Sequence, residues 1–84
     1  MDKEEKAKKE YLALFGEGLR KLRSSAGYSQ EALAERAGID RSYLGAIERG
    51  ENNVALINIV KIANALDIAP HQLLEIFAKS TVKK

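Results

Sequence analysis

The chain has 84 residues, with one histidine and no cysteine, and its formal net charge at pH 7 is +2. A chain of this length forms one small domain, and the lack of thiols excludes disulfide scaffolds, thiolate metal sites and cysteine nucleophiles. No apolar run approaches the roughly 20 residues of a membrane-spanning helix, and the charged N-terminus differs from an export signal. We therefore expect a cytoplasmic protein with no membrane partner.

The net positive charge of the chain suggests a nucleic-acid partner, but the distribution of the charges along the chain makes this a weak indication. Residues 16–78 carry seven lysines and arginines against eight acidic residues, a net charge of −1. The positive excess lies near the C-terminus, in Lys79, Lys83 and Lys84. DNA binding has therefore to be inferred from the positions of individual charges.

The first predicted element is a helix that begins in a charged segment. Residues 1–12 place acids four positions before lysines, as in Glu4 and Lys8, which favours a solvated helical extension. A basic arm that contacts DNA is the alternative, although four acids match the four lysines of this segment. Four apolar residues then recur at helical spacing, so we expect the helix to continue to Ser24 or Ser25.

Two short helices joined by a glycine are predicted next. Ser29 is a suitable N-cap for a helix over residues 30–37, and Gly38 ends that helix. Asp40 is placed to cap a second short helix that runs to Arg49. In such a pair one helix braces the other, which projects from the surface.

Two further helices complete the predicted fold. Apolar residues at helical spacing, from Leu56 to Leu66, form the core stripe of a predicted fourth helix, and Pro70 suits the first turn of a fifth. Neither an alternating strand pattern nor an internal repeat is present. We therefore expect an all-α fold, a compact five-helix bundle with a central helix-turn-helix. The predicted domains are a charged helical extension over residues 1–12, the bundle over 13–78 and a basic disordered tail over 79–84.

The segment SQEALAERAGIDRSYLGAIERGENN resembles the helix-turn-helix of Cro and phage repressors, also called the XRE family. The resemblance extends over roughly residues 16–77. It implies a lambda-repressor-like domain in which residues 40–49 enter the major groove of double-stranded DNA. The pattern DRSY..AIERG..N and the chain length are also similar to the controller proteins of restriction-modification systems.

The candidate DNA contacts lie on one side of the second short helix. At about 100° per residue, one arc of the helix carries Arg41, Ser42, Gly45, Ala46 and Arg49, and the large apolar side chains point away from it. Arg41 matches the base-reading position of the family, where two hydrogen bonds to a guanine are expected; a solvated surface arginine is the alternative. Base contacts are expected from Gln30, Arg41, Ser42 and Ala46, and backbone contacts from Ser29, Tyr43, Arg49, Asn52 and Asn53.

Several of these residues have alternative roles. Ser42 can hydrogen-bond a base or a phosphate, and Ala46 either contacts a thymine methyl or is simply a tolerated small residue. Asn52 and Asn53 can instead form the turn or cap the helix. Gly45 costs about 1 kcal/mol relative to alanine within a helix, and close approach to DNA would explain its presence.

The resemblance also implies an ion pair, and apolar residues of the last two helices indicate a dimer. Arg23 and Glu48 match a pair that ties the first helix to the recognition helix. Ile57, Ile76 and Phe77 would make a poor monomer surface, so we expect a two-fold dimer contact; a wider core that buries them is the alternative. A homodimer presents two recognition helices about 34 Å apart and reads a palindromic operator.

Two other classes of function compete with DNA binding. His71 is the only histidine and lies where a solvated first-turn residue is expected, and Gly16 and Gly18 lie within a helix instead of a phosphate-binding loop. We therefore expect no enzyme, no metal, no cofactor and no small-molecule effector. A protein-interaction adaptor, or an antitoxin that represses its own operon, is the stronger competitor.

Overall fold

The computed structural model describes residues 2–80, and all regular elements within that range are helices. They are α1 (Lys3–Ser25), α2 (Gln30–Ala37), α3 (Arg41–Glu48), α4 (Leu56–Ala65), α5 (Pro70–Leu73) and α6 (Glu75–Ser80). The predicted all-α class is confirmed. Residues 79 and 80, assigned to the tail by the sequence, end α6, whereas the rest of that tail lies outside the described residues.

The predicted fifth helix is divided into two short helices. Leu74 leaves the helical region with φ −99° and ψ 2°, between α5 and α6. Its N–H donates to the carbonyl of His71 at 3.0 Å, a three-residue hydrogen bond that tightens the turn. The sequence pattern could not show this break, because both halves carry apolar residues at helical spacing.

Helix α1 joins the charged extension and the first core helix in one element of 23 residues. Asp2 caps it, since its Oδ1 accepts a hydrogen bond from the N–H of Glu5 at 2.8 Å. Over residues 2–10 only Ala7 is as much as half-buried, so the first turns lie in solvent. Within the described part of the chain, no helix is both long and apolar enough to cross a membrane.

The caps of α2 and α3 form as the sequence predicts. Ser29 Oγ accepts from the N–H of Ala32 at 3.0 Å, and Asp40 Oδ1 accepts from the N–H of Ser42 at 2.9 Å. Gly38 adopts φ 72° at the end of α2, a left-handed conformation that glycine takes without strain. These signals set the length of both short helices and the sharp turn between them.

The core lies where the first five helices meet. The largest fully buried side chains are Leu19, Leu33, Leu44, Ile47, Ile62 and Leu73. Because they come from α1 to α5, the two apolar side chains that α3 contributes, Leu44 and Ile47, are held by apolar contacts from behind. One expectation was wrong: Leu56, placed on the core stripe of α4, is 73% exposed, because it begins the helix and the later turns supply its buried face.

Candidate nucleic-acid interface

The outward side of α3 is polar, and its inward side is buried. Leu44 and Ile47 are in the core, whereas Arg41 and Ser42 are exposed and Ala46 is half-buried. The side chains expected to contact bases therefore lie on the surface of a helix that is packed from behind. Their contact with bases stays a prediction.

A cluster of polar side chains, which we call the Glu48 cluster, locks α3 against its neighbours. Arg23 donates from Nε to Glu48 Oε2 at 2.7 Å and from Nη2 to Glu48 Oε1 at 3.0 Å. Its Nη1 donates to the carbonyl of Tyr28 at 2.8 Å, and Gln30 Nε2 donates to Glu48 Oε1 at 2.9 Å. The structure thus brings together the pair implied by the resemblance and adds Gln30, so that one carboxylate ties α3 to both α1 and α2.

The Glu48 cluster is shielded from water. The side chain of Glu48 is 2% exposed and that of Arg23 is 13% exposed. Hydrogen bonding to Glu48 raises the pKa of the Arg23 guanidinium above its ordinary value. Charge-assisted bonds in such a setting are strong, and each partner depends on the other to stay paired.

Gly45 has a reason within the protein that the sequence did not reveal. A methyl group on Gly45 would lie 3.3 Å from Arg49 Nη1 and 3.4 Å from Gln30 Oε1. Gly45 is accordingly buried beneath these two side chains instead of forming an open part of the arc. Its lack of a side chain lets Gln30 and Arg49 lie across α3 at the edge of the candidate interface.

Arg49 is held by Glu51, which sequence reasoning missed. Arg49 donates from Nε to Glu51 Oε2 at 2.9 Å and from Nη2 to Glu51 Oε1 at 3.2 Å. Both side chains are more than half exposed. The hydrogen bonds from Arg49 lower the pKa of the Glu51 carboxyl, so this carboxyl is ionised at neutral pH. The sequence signal was only a carboxylate two residues after a candidate phosphate-binding arginine.

Tyr43 lies between the core and the edge of α3. Its ring is half-buried against the core, and its hydroxyl accepts a hydrogen bond from Asn58 Nδ2 on α4 at 3.0 Å. A tyrosine hydroxyl that accepts one bond retains its own proton for donation. Asn58, which the sequence did not single out, orients a hydroxyl that can bind a phosphate. Of the two remaining loop candidates, Asn52 is half-buried and Asn53 is exposed.

The residues expected at a dimer contact divide into two groups. Ile57 is 69% exposed on α4. Ile76 and Phe77 are half-buried against α1, where Ile76 lies beside Gly18 and the Phe77 ring meets Tyr11 edge to face at 6.3 Å between centroids. The single chain therefore already covers part of Ile76 and Phe77, in line with the alternative of a wider core.

Exposed apolar side chains nevertheless remain on α4 and at the α5–α6 turn. A groove of about 210 Å³ opens between α1, α4 and the α5–α6 turn. It is lined mainly by Tyr11, Leu12, Phe15, Val54, Ile59, Leu74 and Phe77. Besides Ile57, the exposed apolar side chains of this region include Leu56, Val60 and Leu74. We call Leu56, Ile57, Val60 and Leu74 the apolar patch.

The geometry defines a helix-turn-helix domain: two short helices meet at a left-handed glycine, and the second presents a polar arc to solvent. Within residues 2–80, no group of three or more histidine, cysteine or acidic side chains is arranged to hold a metal ion. The function has therefore to be sought in what the outward side of α3 can bind.

Comparison with known proteins supports this class. Residues 19–73 match the helix-turn-helix family model HTH_3. The Neisseria hypothetical transcription factor of Neisseria meningitidis serogroup B is 47% identical over 62 residues, which are 74% of this chain and 58% of that protein. The chain thus spans little more than half the length of this relative.

Solved structures are also similar in fold and sequence, and two of them bear on function. The restriction-modification controller protein C.AhdI from Aeromonas hydrophila superposes with a TM-score of 0.73 at 56% identity, over 74% of this chain and 94% of that one. SinR, a master regulator for biofilm formation solved in complex with DNA, superposes with a TM-score of 0.69 at 38% identity, over 71% of this chain and 97% of that one.

The chain belongs to the helix-turn-helix family of the XRE type, which confirms the resemblance found in the sequence. The named relatives are a hypothetical transcription factor, a restriction-modification controller protein and a master regulator. This protein is accordingly a member of a family of DNA-binding transcriptional regulators.

Proposed function

We propose that this protein is a sequence-specific regulator that binds an inverted-repeat operator as a homodimer, with α3 in the major groove of each half-site. The observation that carries the proposal is the outward arc of α3, which stays polar while Leu44, Ile47 and Glu48 fix the helix from behind. A helix in the major groove requires such a supported, outward-facing surface. The similarity to C.AhdI favours a controller of a restriction-modification system, and we place the protein in the cytoplasm with the DNA.

Base recognition is assigned mainly to Arg41. It is exposed in the first turn of α3, and none of the ion pairs found in the described residues occupies its guanidinium. A free guanidinium fork can bind O6 and N7 of a guanine and discriminate against other bases by about 1 to 3 kcal/mol. Ser42 and Ala46 lie on the same side and contribute a hydroxyl and a methyl group. Gln30 is a weaker candidate, because its amide already donates to Glu48.

Backbone contacts are assigned to residues that flank this arc. The N-terminus of α2, at Ser29, offers N–H groups to a phosphate, while Tyr43 offers its hydroxyl proton. Arg49 and the two asparagines of the following loop lie at the other end of α3. These contacts position α3 without reading sequence.

Dimerisation is assigned to the apolar patch. Its four side chains are exposed on α4 and at the α5–α6 turn, and one of them, Leu74, also lines the groove, which provides a concave apolar surface. A two-fold contact would bury these side chains against their equivalents in a second copy. Of the three dimer residues predicted from the sequence, Ile57 is the most exposed. Ile76 and Phe77 contribute the edge that α1 leaves uncovered.

Selection of binding sites from random duplex DNA tests the proposed function. The native chain should enrich a palindrome, and Arg41→Ala should relax the preference at one base pair in each half-site. Arg20→Ala, which removes an exposed arginine of α1, is the matched control and should leave the preference unchanged. If no site is enriched by the native chain, the proposal fails and a protein-interaction adaptor becomes the better account.

A further inference from the structure

We infer that Glu51 competes with the DNA backbone for Arg49 and thereby limits the affinity of the interface for any DNA duplex. The inference rests on the proposed function, because it concerns an arginine assigned to a phosphate. It gives an affinity-setting role to an acidic residue that would otherwise be a mere surface charge.

Glu51 and a phosphate compete because both bind the same edge of the Arg49 guanidinium. Arg49 uses Nε and Nη2 together to bind both oxygens of Glu51, at 2.9 and 3.2 Å. This is the two-bond fork with which an arginine also grips a phosphate. The third nitrogen, Nη1, lies over Gly45, where a methyl group would be 3.3 Å away. A phosphate that takes the same edge therefore has to displace the carboxylate.

The backbone keeps Glu51 next to Arg49. Gly50 has φ 77°. Its N–H donates to the carbonyl of Ile47 at 3.0 Å, and the N–H of Glu51 donates to the carbonyl of Ala46 at 2.9 Å. These bonds form the Schellman motif that closes a helix, so the main chain of Glu51 is fixed relative to α3. The carboxylate consequently remains within reach of the Arg49 guanidinium.

Glu51 can act on DNA binding through Arg49 while the fold stays intact. It lies between Arg49 and the loop asparagines, which are all assigned to the backbone of DNA. Its exposed ion pair contributes little to folding stability, since water and salt screen such pairs. Substitution of Glu51 should therefore change DNA binding without unfolding the domain.

A double-mutant cycle between Arg49 and Glu51 tests the inference. Binding of native chain, Glu51→Gln, Arg49→Gln and the double variant is measured by fluorescence anisotropy, on the selected operator and on an unrelated duplex, from 50 to 200 mM KCl. Glu51→Gln should tighten binding to both duplexes roughly three- to tenfold at about 0.1 M salt, and should steepen the salt dependence by about 0.9 in log–log slope. In the Arg49→Gln background, the same change should alter binding by less than about twofold.

Two controls make the result specific. Glu75→Gln removes an equal charge from α6, an element assigned no contact with DNA, and should change affinity by less than about twofold. Circular dichroism should show the same thermal midpoint for Glu51→Gln and the native chain.

Each other outcome overturns the inference. Weaker binding by Glu51→Gln would show that Glu51 orients Arg49 for the phosphate, and unchanged binding would show that the two anions do not compete. An equal gain with and without Arg49 would mean that Glu51 repels DNA independently of Arg49. If the native chain binds no duplex at all, the proposed function itself fails, and the inference fails with it.

Discussion

Replacement of Glu48 by leucine should destabilise the domain strongly although it places an apolar side chain in a buried position. The carboxylate is 2% exposed and accepts two hydrogen bonds from Arg23 and one from Gln30. Without it, the Arg23 guanidinium keeps only the carbonyl of Tyr28 as an observed partner. Breaking a buried pair by removing one partner costs about 3 to 5 kcal/mol.

The lower end of this range is the better expectation here. The side chain of Arg23 is 13% exposed, so water can partly solvate the abandoned charge. A loss of about 3 kcal/mol in a domain of this size corresponds to a fall in thermal midpoint of roughly 12 to 24 °C. Thermal and urea denaturation followed by circular dichroism measure both quantities.

The double variant separates the lost pair from a general packing defect. Arg23→Met should be destabilising by itself, but combining it with Glu48→Leu should cost clearly less than the sum of the two single effects, because no uncompensated charge remains. Additive effects, or a loss below about 1 kcal/mol for Glu48→Leu, would refute the reasoning that this pair is a buried, mutually dependent unit.

Three further predictions follow from close contacts and exposed surface. Gly16→Ala should destabilise the domain by about 1 to 3 kcal/mol, because the added methyl group would lie 2.6 Å from a carbonyl oxygen of α3. Gly18→Ala should instead stabilise the domain by up to about 1 kcal/mol. Urea denaturation measures both changes in the free energy of unfolding. Ile57→Asp should shift the protein towards monomer in sedimentation equilibrium while its thermal unfolding remains cooperative, and an unchanged dimer would remove the apolar patch from the interface. Asn58→Ala should weaken DNA binding by about 1 kcal/mol in anisotropy, and this loss should disappear in a Tyr43→Phe background if Asn58 acts through that hydroxyl.

The elements defined by local signals could be predicted from sequence. The bounds of α2 match the prediction, and α3 ends at Glu48 with Arg49 as its C-cap, one residue before the predicted end. These boundaries depend on side chains that bond to the main chain two or three residues away, as Asp40 does. The family resemblance, carried by spacing within the same segment, was sufficient to identify the class of protein.

The parts that sequence reasoning missed depend on contacts between distant residues. Asn58 reaches Tyr43 across 15 positions, and Gln30 reaches Glu48 across 18 positions. Helical periodicity states which face of a helix is apolar, but not which polar side chains meet between helices. For the same reason the sequence suggested that Gly45 allows a close approach to DNA, whereas in the structure the side chains of Gln30 and Arg49 cover it.

The most direct test of the central claim is a titration of the nitrogen-15-labelled protein with its selected duplex, followed by amide resonances. The account predicts that the largest changes lie in residues 29–31 and 41–53, that the amide of Arg41 is among them, and that a scrambled duplex at the same salt concentration leaves Arg41 much less affected. Changes confined to α5 and α6, with the resonances of α3 unmoved by the selected duplex, would contradict the assignment of α3 to the DNA groove.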